Sequence, residues 1–139
     1  MKKLILLAFI AVMLISILTP ATSFTEDKDT VLLAKSIYAL ARSESYETKL
    51  AIGNVVMNRV ANPWFADTLG EVLSEQHQFP AGSRYDAESL SAAHDVLSGK
   101  RVLNESALYY RAADATGDWD AKAVKTVGSY TFYSEDGFR

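Results

Sequence analysis

Two blocks of apolar residues, spaced three and four apart, commit the first half of the folded chain to helices. Leu33, Ile37 and Ala41 form one stripe with Ala34 and Tyr38 beside them, and Thr30 stands before it as a candidate cap, so the spacing predicts a helix over 31–42. Ile52, Val56 and Val60, flanked by Ala51 and Val55, form a second stripe. Ser43-Glu44-Ser45 lies between the two, and such residues prefer caps and turns, so two helices are expected and not one. Glu47 would sit in the first turn of the second helix, where its charge favours the helix dipole. Asn62-Pro63 ends that helix, because the residue before a proline is pushed out of the helical region. Trp64 and Phe65 follow in a loop.

Thr68 and Glu71 have capping-box spacing ahead of a short third helix opened by Val72-Leu73. Asp86 and Ser89 precede Leu90, Ala93 and Leu97, with Gly99 as the stop signal of a fourth. The chain then changes character. Ala107–Arg111 and Ser129–Tyr133 are short and aromatic-rich, which suits strands, with a loop and a helical turn expected around 117–120. The expected fold class is α+β, mainly α, with four helices and a small antiparallel β-ribbon.

The N-terminus has a different pattern. Lys2 and Lys3 precede a run from Leu4 to Leu18 that is apolar except for Ser16, and Pro20, Ala21 and Ser23 follow. This stretch of fifteen residues falls short of the roughly 20 that a helix needs to cross a ~30 Å hydrocarbon core, and small residues stand where a signal peptidase reads them. Residues 1–23 are therefore expected to be a secretory signal cleaved after Ser23; an uncleaved anchor is the alternative. Residues 24–30 read as a short acidic linker and residues 31–139 as the domain. Membrane contact is expected only through the signal, and lipoprotein attachment would need a cysteine that the sequence lacks.

Without Lys2 and Lys3 the net charge of −3 becomes −5. An acidic domain with scattered Lys and Arg has no footprint for nucleic acid, which demands clustered positive charge. The absence of cysteine removes disulfides and thiolate chemistry. His77 and His94 are too few for a His-rich metal site and have no HxxEH-type spacing. No metal and no cofactor are expected.

One run of residues carries a resemblance. Tyr38-Ala39-Leu40-Ala41-Arg42-Ser43-Glu44 resembles the signature of the spore-cortex-lytic and cell-wall hydrolase family, in which tyrosine is followed by Gly-Glu-Ala-Arg-Gly-Glu. Val56-Met57-Asn58-Arg59-Val60, Gln78-Phe79, Ala107-Leu108-Tyr109, Trp119 and Gly128-Ser129-Tyr130-Thr131-Phe132-Tyr133 resemble further family segments in the same order, over Val31 to Tyr133. The resemblance implies a fold similar to lysozymes and lytic transglycosylases, peptidoglycan glycan strands as partner, glycosidic-bond cleavage as the family's reaction, and an extracytoplasmic location.

Such cleavage needs a carboxylic acid to protonate the departing oxygen. The resemblance places that acid at the first glutamate of the signature, which is Leu40 here, and leucine has no proton to give. The family's closing histidine is replaced by Tyr130. Glu44, the second glutamate, is the remaining catalytic candidate; its other reading is a cap or a partner for Arg42. Arg42 either binds a carboxylate of the substrate or orders the loop through Glu44 or Glu47. Tyr38, Tyr109 and Tyr130, with Tyr110, either stack on sugar rings or belong to the core. Gln78 is a candidate for hydrogen bonding in the cleft, Phe79 for packing, and the histidines for the surface. Three functions follow: a hydrolase or lytic transglycosylase weakened or silenced at Leu40, a non-catalytic module that binds peptidoglycan or regulates an active hydrolase, or a purely structural envelope protein.

Overall fold

A computed structural model describes residues 26–135; the expected signal and its cleavage point lie outside the described residues. Four helices come first: α1 (Lys28–Ala41), α2 (Tyr46–Ala61), α3 (Leu69–Ser74) and α4 (Ala87–Leu97). Three strands follow, β1 (Tyr109–Ala112), β2 (Lys122–Val127) and β3 (Tyr130–Ser134). Among the described residues no helix is long and apolar enough to cross a membrane.

Helix α1 begins one turn before the expected Val31, because the Asp27 carbonyl already accepts the Val31 amide. Thr30 therefore lies inside the helix and caps nothing, and the end of the stretch read as linker is helical. The other start signals act as the sequence suggests. Ser45 accepts from the Thr48 amide, Thr68 from Glu71 and Asp86 from Ser89, each satisfying one donor that a helix start leaves open. Gly99 takes a φ of 104° just past α4, the left-handed conformation that ends helices and suits glycine.

The core gathers Leu33 and Ile37 from α1, Ile52, Val55 and Val56 from α2, Val72 from α3, Val96 from α4 and Phe132 from β3. Helix α2 is buried over most of its circumference, which marks it as the central element. Gly53 lets it approach α4 closely, since a side chain there would press into Val96. Its polar residues have a different task. Asn54 donates to the Lys100 carbonyl and accepts from the amides of Val102 and Leu103. Asn58 donates to the carbonyls of Asn104 and Ala107, and Arg59 to that of Leu108. These bonds satisfy backbone groups between Lys100 and Leu108 and so fix the point at which the sheet begins.

The sheet is antiparallel with order β1-β3-β2. Two strands were expected, and β2 is the addition. Lys122, Ala123, Lys125 and Thr126 face solvent, and an irregularity between Ala123 and Lys125 breaks the alternation, so β2 lacks the apolar period of a half-buried strand. Gly128 and Ser129 form the two-residue turn to β3, with Gly128 at φ 56°.

Candidate functional site

The site grows from the free edge of β1. Arg59 is 1% exposed, and its guanidinium lies 4.9 Å from the ring centre of Phe65, 5.0 Å from Phe79 and 5.5 Å from Tyr109. Nε donates to the Leu108 carbonyl at 2.7 Å and a terminal nitrogen to Gln78 Oε1 at 3.0 Å, with the Glu75 carboxylate at 3.8 Å. Burial lowers the Arg59 pKa and Glu75 opposes that; an arginine starts so high that it stays charged. The Tyr110 hydroxyl donates to the Gln78 carbonyl at 2.6 Å, and its ring packs on Phe79. Arg59 is thus the post around which Gln78 and the aromatic residues stand.

Two open depressions follow β1. The first, of about 270 Å³, is lined by Arg59, His77, Gln78, Tyr109, Tyr110 and Trp119. The second, of about 310 Å³, is lined by Ala112, Ala113, Asp114, Ser129 and Tyr130 at the strand's far end. The rings of Tyr110, which lines the first, and Tyr130, which lines the second, meet edge-on at 5.8 Å, so the two depressions are neighbours and together form the groove along β1. Trp119 is edge-on to Tyr109 at 6.2 Å and tilted against Tyr133 at 4.6 Å, which gives the groove an aromatic wall. Such rings offer large apolar faces at small cost in ordering, which suits the flat faces of sugars.

At the second depression the end of α1 meets the β2–β3 turn. The Tyr130 hydroxyl donates to the Leu40 carbonyl at 2.7 Å, and the Leu40 side chain packs against the core. Helix α1 stops at Ala41 and the Glu44 amide closes a turn onto its carbonyl, so Glu44 does not continue the helical face of Leu40. One Glu44 carboxylate oxygen accepts from the Ser129 amide at 3.3 Å. Gly128 lies so near this oxygen and the Thr48 hydroxyl that a side chain there would have to displace the Glu44 carboxylate. From below, Lys49, 1% exposed, donates to the Glu44 carbonyl at 2.7 Å and faces Glu88 at 3.4 Å.

Leu40, Glu44 and Tyr130 are therefore neighbours, and Gln78 and Tyr109 share the first depression. Tyr38 and Arg42 line neither depression. Arg42 is exposed and forms no ion pair among the described residues; Glu47 pairs with Lys125 at 2.9 Å, and Glu44 with a backbone amide. His77, expected at the surface, is exposed and also borders the groove, with φ at 63°. The sequence reading missed Lys49 entirely, because a lysine between Thr48 and Leu50 gives no sign that the position is buried. Burial raises the pKa of Tyr109, Tyr110 and Tyr130, with the Glu44 charge adding to the last. At neutral pH all three phenols keep their protons, and Tyr110 and Tyr130 donate theirs to the Gln78 and Leu40 carbonyls.

The model of the cell wall hydrolase family matches residues 43–133. Spore cortex-lytic enzymes of Halalkalibacterium halodurans and Bacillus subtilis are each 30% identical over 114 residues, covering 76% of this chain. The same alignments cover 34% and 37% of those enzymes, so the chain spans about a third of their length. Among solved structures, the catalytic domain of Bacillus cereus SleB superposes with a TM-score of 0.70 at 25% identity, covering 76% of this chain and 89% of that domain. The catalytic domain of the germination-specific lytic transglycosylase SleB from Bacillus anthracis gives 0.70 at 22% identity, covering 80% and 98%, a likeness of fold. The expected lysozyme-like class, mainly helical with a small antiparallel sheet, is the class found.

Proposed function

The chain belongs to the cell wall hydrolase family, and from that premise we propose that the groove along β1 holds peptidoglycan glycan strands outside the cytoplasmic membrane and does not cleave them efficiently. The observation that carries this reading is the pairing at the end of α1. Where the family resemblance expects an acid stands an apolar side chain packed on the core, and the Tyr130 hydroxyl is spent on the Leu40 carbonyl. Protonation of a leaving oxygen requires an acidic group within about 3 Å of it. Glu44 is engaged with the Ser129 amide and holds the β2–β3 turn. The groove itself keeps what binding needs: aromatic rings, the Gln78 side-chain amide and phenol oxygens that can still accept hydrogen bonds.

The test is co-sedimentation with insoluble, protein-free sacculi. The protein is expected to pellet at both low and high salt, because stacking and hydrogen bonding do not depend on net charge. Tyr109→Ala should weaken the binding. Complete recovery in the supernatant under all conditions would refute the reading.

A second reading keeps catalysis, with Glu44 as the acid, because its carboxylate stands beside Ser129 and Tyr130, which line the second depression. It requires soluble glycan to be released by the unaltered protein and lost in Glu44→Gln.

A further inference from the structure

A separate hollow of about 480 Å³ lies between α1, α3 and residues 80–82. Lys28, Leu32, Lys35 and Ser36 line it from α1, at the four- and seven-residue spacings that share one helix face. Leu73 and Pro80 continue the apolar strip begun by Leu32. The two lysines are seven positions apart, about 10.5 Å along the axis at 1.5 Å per residue. Neither is paired with an acid among the described residues, and no carboxylate lines the hollow. In a domain that is acidic overall, this is a local cationic site left without a counter-charge.

Two further features mark it as built. Ser36 is 3% exposed, and its hydroxyl has no hydrogen-bond partner, a polar group buried at a cost that a ligand oxygen would relieve. Gly82 packs so tightly on the Lys35 carbonyl that a side chain would collide with it, which fixes residues 80–82 against α1 as a wall. The same segment also walls the groove: Gln78 faces the first depression, while Pro80, two residues on, faces the hollow.

We propose that this hollow binds a short acidic peptide through two carboxylates set about 10 Å apart, one at Lys28 and one at Lys35, with the apolar strip under the aliphatic part between them. The peptide class follows from the hollow alone. Its source, the acidic peptide stems that branch from peptidoglycan glycan strands, rests on the reading given above for the groove. Glycan in the groove and stem in the hollow would lie on the two sides of the 78–82 segment.

The test titrates the purified protein with the soluble tripeptide L-alanyl-γ-D-glutamyl-diaminopimelate, with its fully amidated analogue and with inorganic phosphate, following heat and backbone amide shifts. The free tripeptide is expected to bind and to shift amides of residues 28–36 and 70–82. Lys28→Gln and Lys35→Gln are each expected to weaken it by about threefold to tenfold, and amidation by more than about tenfold, the scale of one to two charge-assisted contacts. Equal binding of the amidated analogue, or no effect of either lysine change, would overturn the proposal. Phosphate competing as well as the tripeptide would overturn the peptide class. Stem-free glycan strands separate the two readings: if they fail to bind while the tripeptide does, the groove reading falls and the hollow stands, and the opposite result refutes the hollow alone.

Discussion

The hydroxyl of Tyr130 donates a 2.7 Å hydrogen bond to the carbonyl of Leu40, tying strand β3 to the last turn of α1 across 90 residues of sequence. The contact lies beside the second depression, which Tyr130 lines, at the point where the family resemblance expects an acid and a histidine. Leu40 and Tyr130 stand at those two positions of the resemblance, and they are bonded to each other.

Tyr130→Phe removes this bond with little change of shape. The expected loss is about 0.5 to 1.5 kcal/mol, the usual net worth of one hydrogen bond. Urea unfolding of the two proteins measures it, and an unchanged midpoint would mean that the contact does not stabilise the fold.

Arg59 should be the least replaceable residue of the groove. Arg59→Lys keeps the charge but loses the planar fork that serves the Leu108 carbonyl and Gln78 together and stacks among Phe65, Phe79 and Tyr109. We expect at least about 2 kcal/mol of lost stability, from two charge-assisted bonds and a guanidinium stacked in a buried setting. Sacculus binding should fall as well, because Gln78 and Tyr109 lose their support. A variant that folds and binds like the original would show that the groove is organised by other contacts.

Tyr46 supplies a pH-dependent term. Its phenol is pushed up to about 12 from its ordinary 10.0, first by burial and then by the hydrogen bond to Asp95 and that residue's charge. The Tyr46 hydroxyl donates to the Asp95 carboxylate at 2.7 Å. A folded pKa above the unfolded one means that the contribution is complete below about pH 10 and lost as pH rises through about 12. Stability measured across that window should fall less steeply in Tyr46→Phe than in the unaltered protein, and equal slopes would refute the assignment.

The helices were legible because each carries its own signals. The stripe of Leu33, Ile37 and Ala41 is buried as its spacing predicts, and Ser45 and Asp86 cap the helices that follow them. The extra strand was not legible. Its pairing with β3 is specified by the Gly128-Ser129 turn and by a partner strand anchored in the core at Phe132, while Lys122 and Lys125 look like loop residues when read alone. The groove was legible in part. Gln78, Tyr109 and Tyr130 could be named as candidates from the resemblance, but the role of Arg59 as their post depends on contacts with residues up to 50 positions away, such as Leu108. The turn at Glu44 shows the same limit: Arg42 is its nearest cation in sequence, and the fold gives its carboxylate the Ser129 amide 85 residues later.

The most direct measurement compares glycan release from purified sacculi by the unaltered protein, Leu40→Glu and Leu40→Gln, each first shown to be folded. A glutamate at this position would enter a partly apolar setting, where desolvation raises a carboxyl pKa toward the range that a general acid needs. The account predicts little or no soluble product from the unaltered protein and from Leu40→Gln, and cleavage restored in Leu40→Glu by about 10²-fold or more over that baseline. Robust release by the unaltered protein that disappears in Glu44→Gln would contradict the account and make Glu44 the acid.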